Sequence, residues 1–401
     1  MKRCYLGAML VMLALAGTAF AGGEPDGSLR VWVDGDYLLW WLRPMAVTQP
    51  LLTTGPLTNP TAVGSGILGN SGTQLVTGNQ NFNTGPYSGF RIGAGWVDCS
   101  NTIGVEGNFF YLSQKGTNFS IASDDTGNPL LARPVIDART GAETVQFVAA
   151  PNAFAGNFNI ATSTRLFGFD PNVVFPICRG CCDDELNCYY NALVGFRYLN
   201  LDDTLTLTST SNVLPLGIGF FNNQPIANGG NVSVTDNIRT LNQFYGGQVG
   251  IQGGLVWWRF TLNGFAKLAV GSMREDANFS GSTTGFNATL GNTQTAPGGL
   301  LALSSNSSPY GRNMFCVVPE GNLTFGVEIT PQVKLTLGYN ILYASNVARP
   351  GNIIDRTVNR TLIPSSQTFN PSIPGPQRPA IDWNGTDFWA QGINVGLTLH
   401  F

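Results

Sequence analysis

Phe388–Phe401, FWAQGINVGLTLHF, alternates with a period of two up to a terminal aromatic. One face carries Trp389, Ile393, Val395, Leu397, Leu399 and Phe401, broken only by Gln391. The other carries Ala390, Gly392, Asn394, Gly396, Thr398 and His400. A bulky apolar face opposite a small, polar one is the pattern of a strand with lipid on one side and a wet lumen on the other. The run therefore names its solvent, and the expected class is an all-β transmembrane barrel.

The same alternation returns along the chain. Val33, Tyr37, Leu39 and Trp41 oppose Asp34, Asp36 and Trp40, and Phe90, Ile92, Ala94 and Trp96 oppose Arg91, Gly93 and Gly95. Further strand-like segments are Ile103–Tyr111, Phe158–Phe175, Tyr190–Leu201, Tyr245–Leu255, Trp258–Gly271, Phe315–Ile329 and Leu335–Tyr343. With the terminal run this gives about ten strands. Links alternate in length: short near 97–101, 178–187, 257 and 330–332; long and rich in Gly, Asn, Thr, Ser and Pro at 44–85, 119–156, 211–239, 276–312 and 348–385. The expectation is an antiparallel up-and-down barrel with short periplasmic turns, long extracellular loops and both termini in the periplasm. The long loops leave room for two more strands, twelve in all. Trp40, Trp41, Trp257, Trp258 and Trp389 lie at strand ends and suit an interfacial aromatic girdle. The competing reading, a soluble β-sandwich, has to explain too many long irregular loops.

Composition agrees with the barrel. Charged residues are 11% of the chain, against about 25% in an average globular domain, and there are 50 glycines. After the N-terminal segment no apolar run reaches the roughly 18 residues a membrane helix needs. A formal net charge of -3 offers no basic surface for nucleic acid. Lys2 and Arg3, the apolar stretch Leu6–Leu15 and the small-x-small site Ala19-Phe20-Ala21 read as a secretory signal peptide over residues 1–21. Cys4 lies within it and no cysteine follows the cleavage site, which argues against lipid modification. Residues 22–401 then form one barrel domain with no appended module, placed in a bacterial outer membrane.

The predicted inner face carries Asp34, Asp36, Arg91, Glu106, Asp170, Arg197, Lys267, Glu320 and Glu328. Barrels of about eight strands are filled by side chains and those of about sixteen hold water, so ten sits near the filled end. The charges either pair in a hydrogen-bonded plug, because an unpaired buried charge is costly, or line a narrow hydrated path. Six cysteines follow the signal. Cys99 falls in one periplasmic turn and Cys178, Cys181, Cys182 and Cys188 in the next, so disulfides between neighbouring hairpin tips are expected; Cys316 lies far from both. A metal site is disfavoured because adjacent Cys181 and Cys182 point apart, and no histidine follows the C-x-x-C as haem attachment would require. No cofactor is implied. The single histidine, His400, stands at the periplasmic end, away from the loops, which leaves a hydroxyl nucleophile without its usual base. Asp355, Asp382 and Asp387 keep carboxylate chemistry open at the outer rim, though solvated or loop-stabilising acids are the simpler reading. Arg349, Asp355 and Arg356 suit a lock that holds the last loop across the barrel mouth.

Several blocks resemble a known family. Val31-Trp32-Val33 through Asp36-Tyr37-Leu38-Leu39-Trp40-Trp41, Pro50-Leu51-Leu52-Thr53-Thr54-Gly55, and Ile67-Leu68-Gly69 with Gly72-Thr73 resemble the opening of the putative beta-barrel porin type 7 family. So do Gly195-Phe196-Arg197-Tyr198-Leu199, Asn242-Gln243-Phe244-Tyr245-Gly246-Gly247-Gln248, Gly338-Tyr339-Asn340 with Tyr343, Arg349-Pro350-Gly351 with Asp355-Arg356, and Thr386-Asp387-Phe388-Trp389-Ala390-Gln391-Gly392. The resemblance spans nearly the whole chain. It implies a bacterial outer-membrane barrel whose partners are outer-membrane lipids and the barrel assembly machinery, with Phe401 as the assembly signal, and it brings no catalytic residue. Two functions follow as expectations: a porin-like barrel passing small polar solutes or ions, or a closed structural barrel that presents its loops for adhesion or envelope integrity. Oligomeric state is not legible.

Overall fold

The computed structural model describes residues 30–56, 64–179 and 186–401. The expected signal peptide lies outside the described residues, as do Cys181 and Cys182. Ten antiparallel strands form a closed ring: β1 (Arg30–Leu42), β2 (Tyr87–Val97), β3 (Gly104–Lys115), β4 (Phe154–Arg179), β5 (Asn187–Val213), β6 (Asn231–Trp257), β7 (Phe260–Asn287), β8 (Tyr310–Thr330), β9 (Val333–Ala348) and β10 (Gly385–His400). Each strand pairs with its neighbours in sequence, and β10 returns to β1 in the register Trp32↔His400 through Leu42↔Ala390. Closure leaves the ring without a free edge, so the backbone in the lipid zone pairs from strand to strand. Asn118–Ala122 and Asn292–Pro297 flank β4 and β7 without entering the ring.

Side-chain alternation follows the expected parity. Tyr37, Phe90, Ile92, Val105, Val194 and Ile251 are exposed on the outer face, as a lipid-facing belt requires. Trp40 departs from its expected place in the girdle. Its indole is fully buried inside the barrel and Nε1 donates to Asn394 Oδ1 at 2.7 Å, because its even-numbered parity on β1 turns it inward with Asp34, Asp36 and Leu38.

The second departure is length. β4 to β7 contain 26, 27, 27 and 28 residues, whereas about 9–11 suffice to cross the hydrocarbon. Much of the stretches 211–239 and 276–312, expected as loops, is therefore strand, up to Val213, from Asn231 and up to Asn287. The reason is an inversion of the pattern. Beyond the membrane Thr204, Thr206 and Thr208 face outward to water while Leu205 and Leu207 are buried inside. An apolar-out template misses such a strand.

Three separate loops fold together within this raised wall. Thr357–Val358, Leu131–Asp137, Met45–Thr54 and Gln74–Phe82 form a sheet in that order, with Glu143–Ala149 also paired to Leu131–Asp137. Met45, Leu51, Leu52, Leu131, Val135 and Ile354 pack against the inward wall residues Leu205, Leu207, Ile238 and Phe279. A lower apolar layer of Leu38, Trp40, Phe110, Leu166, Phe244 and Phe388 fills the ring beneath them.

Candidate functional site

Below that apolar layer lies a layer of charged and amide side chains. Glu320 on β8 accepts from Arg91 of β2 at 3.2 Å and from Arg197 of β5, and Asn340 of β9 donates to it at 2.9 Å. Across the lumen Lys267 of β7 contacts Asp170 of β4 at 2.6 Å and Glu106 of β3 at 3.4 Å. Asn172 and Gln248 join the two halves: Asn172 donates to Glu106 and Asp170, while Gln248 donates to Asn172 at 2.8 Å and accepts from Arg197 at 3.1 Å. Asp34 and Asp36 of β1 stand in register with Gly93 and Arg91, and Asn394 of β10 holds Trp40. Each of the ten strands thus contributes a polar side chain. Glycine makes the room: a Cβ at Gly93 would lie 2.5 Å from both carboxylate oxygens of Asp34.

Eight of the nine predicted inner charges meet at this level. Arg197 is 1% exposed and Asp170, Lys267 and Glu320 are each 5% exposed. Glu328 stands apart, half-buried near the periplasmic turn opposite Lys334. The amides Asn172, Gln248, Asn340 and Asn394 were not picked out by charge, although they share the inward parity of their charged neighbours.

A second polar level ties the loops to the wall. Arg349 pairs with Asp203 of β5 at 2.8 Å and lies over the Phe388 ring. Asp236 of β6, fully buried, accepts the backbone N–H groups of Leu300, Leu301 and Ala302 at 2.8 Å each and pairs with Arg133 at 2.7 Å. Gly299 permits that approach, since a Cβ there would meet Asp236 Oδ1 at 2.2 Å. Arg312 pairs with Glu275 of β7 at 2.5 Å. Sequence reasoning missed Asp203 and Asp236; the available signal was an acid at inward parity between buried leucines or valines.

Arg349, Asp355 and Arg356 do not converge. Arg356 holds Glu143 through two bonds of 2.8 and 3.2 Å, while Asp355 accepts from Arg378 at 2.8 Å and from the N–H of Ala380 at 3.0 Å. Arg349 and Arg356 pin the last loop to other elements, while Asp355 braces it internally. Cys178 is disulfide-bonded at the end of β4, Cys99 stands exposed in the neighbouring turn and Cys188 is buried at the start of β5. Cys316 is buried in the lumen, where its thiol donates to the carbonyl of Ser345 at 2.6 Å. Phe401 meets Val31 at the ring's closure through its backbone N–H, at 2.9 Å. His400 lies at the periplasmic end of β10. In the turn after β2, Asp98 is held below the usual carboxylate range by the Ser100 hydroxyl and the N–H groups of Thr102 and Ile103. Among the described residues no cluster of three or more His, Cys, Asp or Glu is arranged to hold a metal ion.

The family model described as putative beta barrel porin-7 matches residues 32–401. The chain belongs to this porin-7 family. That assignment carries the outer-membrane location with it. Comparison with curated proteins gives no match. Among solved structures, the outer membrane protease OmpT from Escherichia coli is 8% identical with a TM-score of 0.42, covering 95% of this chain and 99% of its own. Ail, the attachment invasion locus protein of Yersinia pestis, is 7% identical with a TM-score of 0.24, covering 93% and 99%. Likenesses at this level carry no inference about activity.

Proposed function

We propose that this porin-7 family member is a closed outer-membrane barrel that acts through the folded module its loops build at the cell surface, in adhesion or envelope integrity. One observation carries the reading: the interior is occupied in successive layers, a polar layer drawn from all ten strands, an apolar layer headed by Trp40 and Phe244, and the loop core above them. An ion crossing the first layer has to break buried ion pairs, and crossing the second it has to shed its water among apolar side chains. The reading assigns no catalytic step. Outer-membrane lipids surround the belt, and assembly runs through the aromatic end at Phe401.

The test is single-channel current after refolding the protein into a planar bilayer. The closed barrel gives no reproducible steps although the folded ring is present. Ion-selective steps from the folded protein would overturn it in favour of a narrow passive pore for small polar solutes, lined by Arg91, Arg197, Lys267 and Glu320.

A further inference from the structure

The loop module leaves a cavity of about 230 Å3, open to solvent on one side, between the raised wall of β4 to β6, the Leu131–Ala149 hairpin and the last loop. Phe147, Phe154, Phe220, Val232 and Val234 supply apolar walls. A dry cavity of about 150 Å3 accepts benzene, so this one has room for a six-membered ring with a small polar substituent. Two polar features say what the substituent is. Ser209 is 4% exposed, points inward from β5 and lines the cavity, and its hydroxyl has no hydrogen-bond partner among the described residues. That hydroxyl opens onto the cavity and can donate to a ligand. Arg360 stands exposed at the rim, and among the described residues no carboxylate pairs with it. No Asp or Glu lines the cavity. Arg360 is therefore the one charged residue among those that line the cavity.

We propose that this cavity is a binding site for a small organic acid: a carboxylate on a ring-sized apolar body, the ring against Phe154, Val232 and Val234, the carboxylate meeting Arg360 and accepting from Ser209. Binding here does not depend on whether the lumen conducts, because the cavity lies above the apolar layer that fills the ring.

Benzoate is the probe, with benzamide as its uncharged isostere, titrated into the full mature protein in detergent micelles by calorimetry, with empty micelles as background. Wild type binds benzoate saturably. Arg360→Gln, at an exposed position with no structural pairing, weakens benzoate about tenfold and leaves benzamide unchanged, as loss of one charge-assisted contact requires. Ser209→Ala weakens both probes by a smaller factor, and Val234→Phe, which fills the floor, abolishes both. Equal benzoate affinity in wild type and Arg360→Gln, equal affinity of the two probes, or uptake that never saturates beyond that of empty micelles would each overturn the proposal. Folding of every variant is read from the shifted gel mobility of the intact barrel.

Discussion

Lys267 is the side chain on which the polar layer turns. The layer contains five acids, Asp34, Asp36, Glu106, Asp170 and Glu320, and three bases, Arg91, Arg197 and Lys267. Glu320 is shared by both arginines, so either arginine can be lost and one cation still contacts it. Glu106 and Asp170 have only Lys267 as an ion-pair partner among the described residues. Lys267→Met keeps the length of the side chain and removes its charge, leaving two buried carboxylates unpaired. Removing one partner of a buried ion pair costs about 3–5 kcal/mol, and here one substitution strands two acids. The expected loss at pH 7 is therefore at the upper end, about 5 kcal/mol. Arg197→Met strands none completely and should lose less, about 2–3 kcal/mol on the same reasoning. The assay is urea unfolding in phospholipid or detergent, read from the midpoint at constant slope. One control tests the cause. The triple variant Lys267→Met, Glu106→Gln, Asp170→Asn removes all three charges and should recover most of the loss. A Lys267→Met protein within about 0.5 kcal/mol of wild type, the range of ordinary surface changes, would refute the reasoning. So would a triple variant as unstable as the single one.

Three further outcomes are expected. Asp236→Ala leaves three buried backbone donors and Arg133 without their acceptor and should cost at least about 3 kcal/mol, with new protease cleavage near 298–306 while the ring stays folded; unchanged resistance to cleavage would count against the anchoring role. Cys316, buried in the lumen, should resist a water-soluble methanethiosulfonate reagent in the folded protein and react fully in urea, as peptide mass mapping would show; rapid labelling of the folded protein would mean that water reaches the layer. Arg356→Ala removes a partly exposed bidentate contact to Glu143 and should cost only about 1 kcal/mol, with faster amide exchange confined to the last loop; an equal acceleration in β1 or β10 would contradict local pinning.

How far the sequence reveals this arrangement depends on which solvent a strand faces. Within the lipid zone an inward glycine or amide beside an outward Ile, Val or Phe leaves one assignment, and the ten strands and their parity follow from it. Trp40 shows the limit: position near a strand end suggested an interfacial ring, but parity on β1 decides, and parity placed it against Asn394. Above the membrane both faces change partners. Thr204–Leu207 reads as a poor membrane strand because water replaced lipid outside and protein replaced water inside. The charged lumen residues were legible as inward, whereas their amide partners carry no charge to draw attention. The anchors Asp203 and Asp236 were hidden in stretches taken largely as loop or strand end, and their partners Arg349, Arg133 and the 300–302 backbone lie far away in sequence. The cavity has no sequence signature, since its walls come from separate elements.

The inversion of the wall also constrains where recognition can occur at the surface. Once β4 to β7 rise out of the membrane with Leu205, Leu207, Val232, Val234, Ile238 and Phe279 turned inward, the ring has to be filled there, because an open mouth would expose a continuous apolar lining to water. The loops that fill it supply Leu51, Leu52, Val135, Leu301, Ile354 and others, and the pairs Arg349 with Asp203 and Arg133 with Asp236 set their orientation where non-directional burial does not. Wall and loops are then one packed body. What stays free to vary is the exposed remainder, which includes 139–142, 288–291 and 371–377, together with the rim of the cavity at Arg360. A surface partner that reads this protein has those tips and that rim to read, while the buried residues of the module hold them in place.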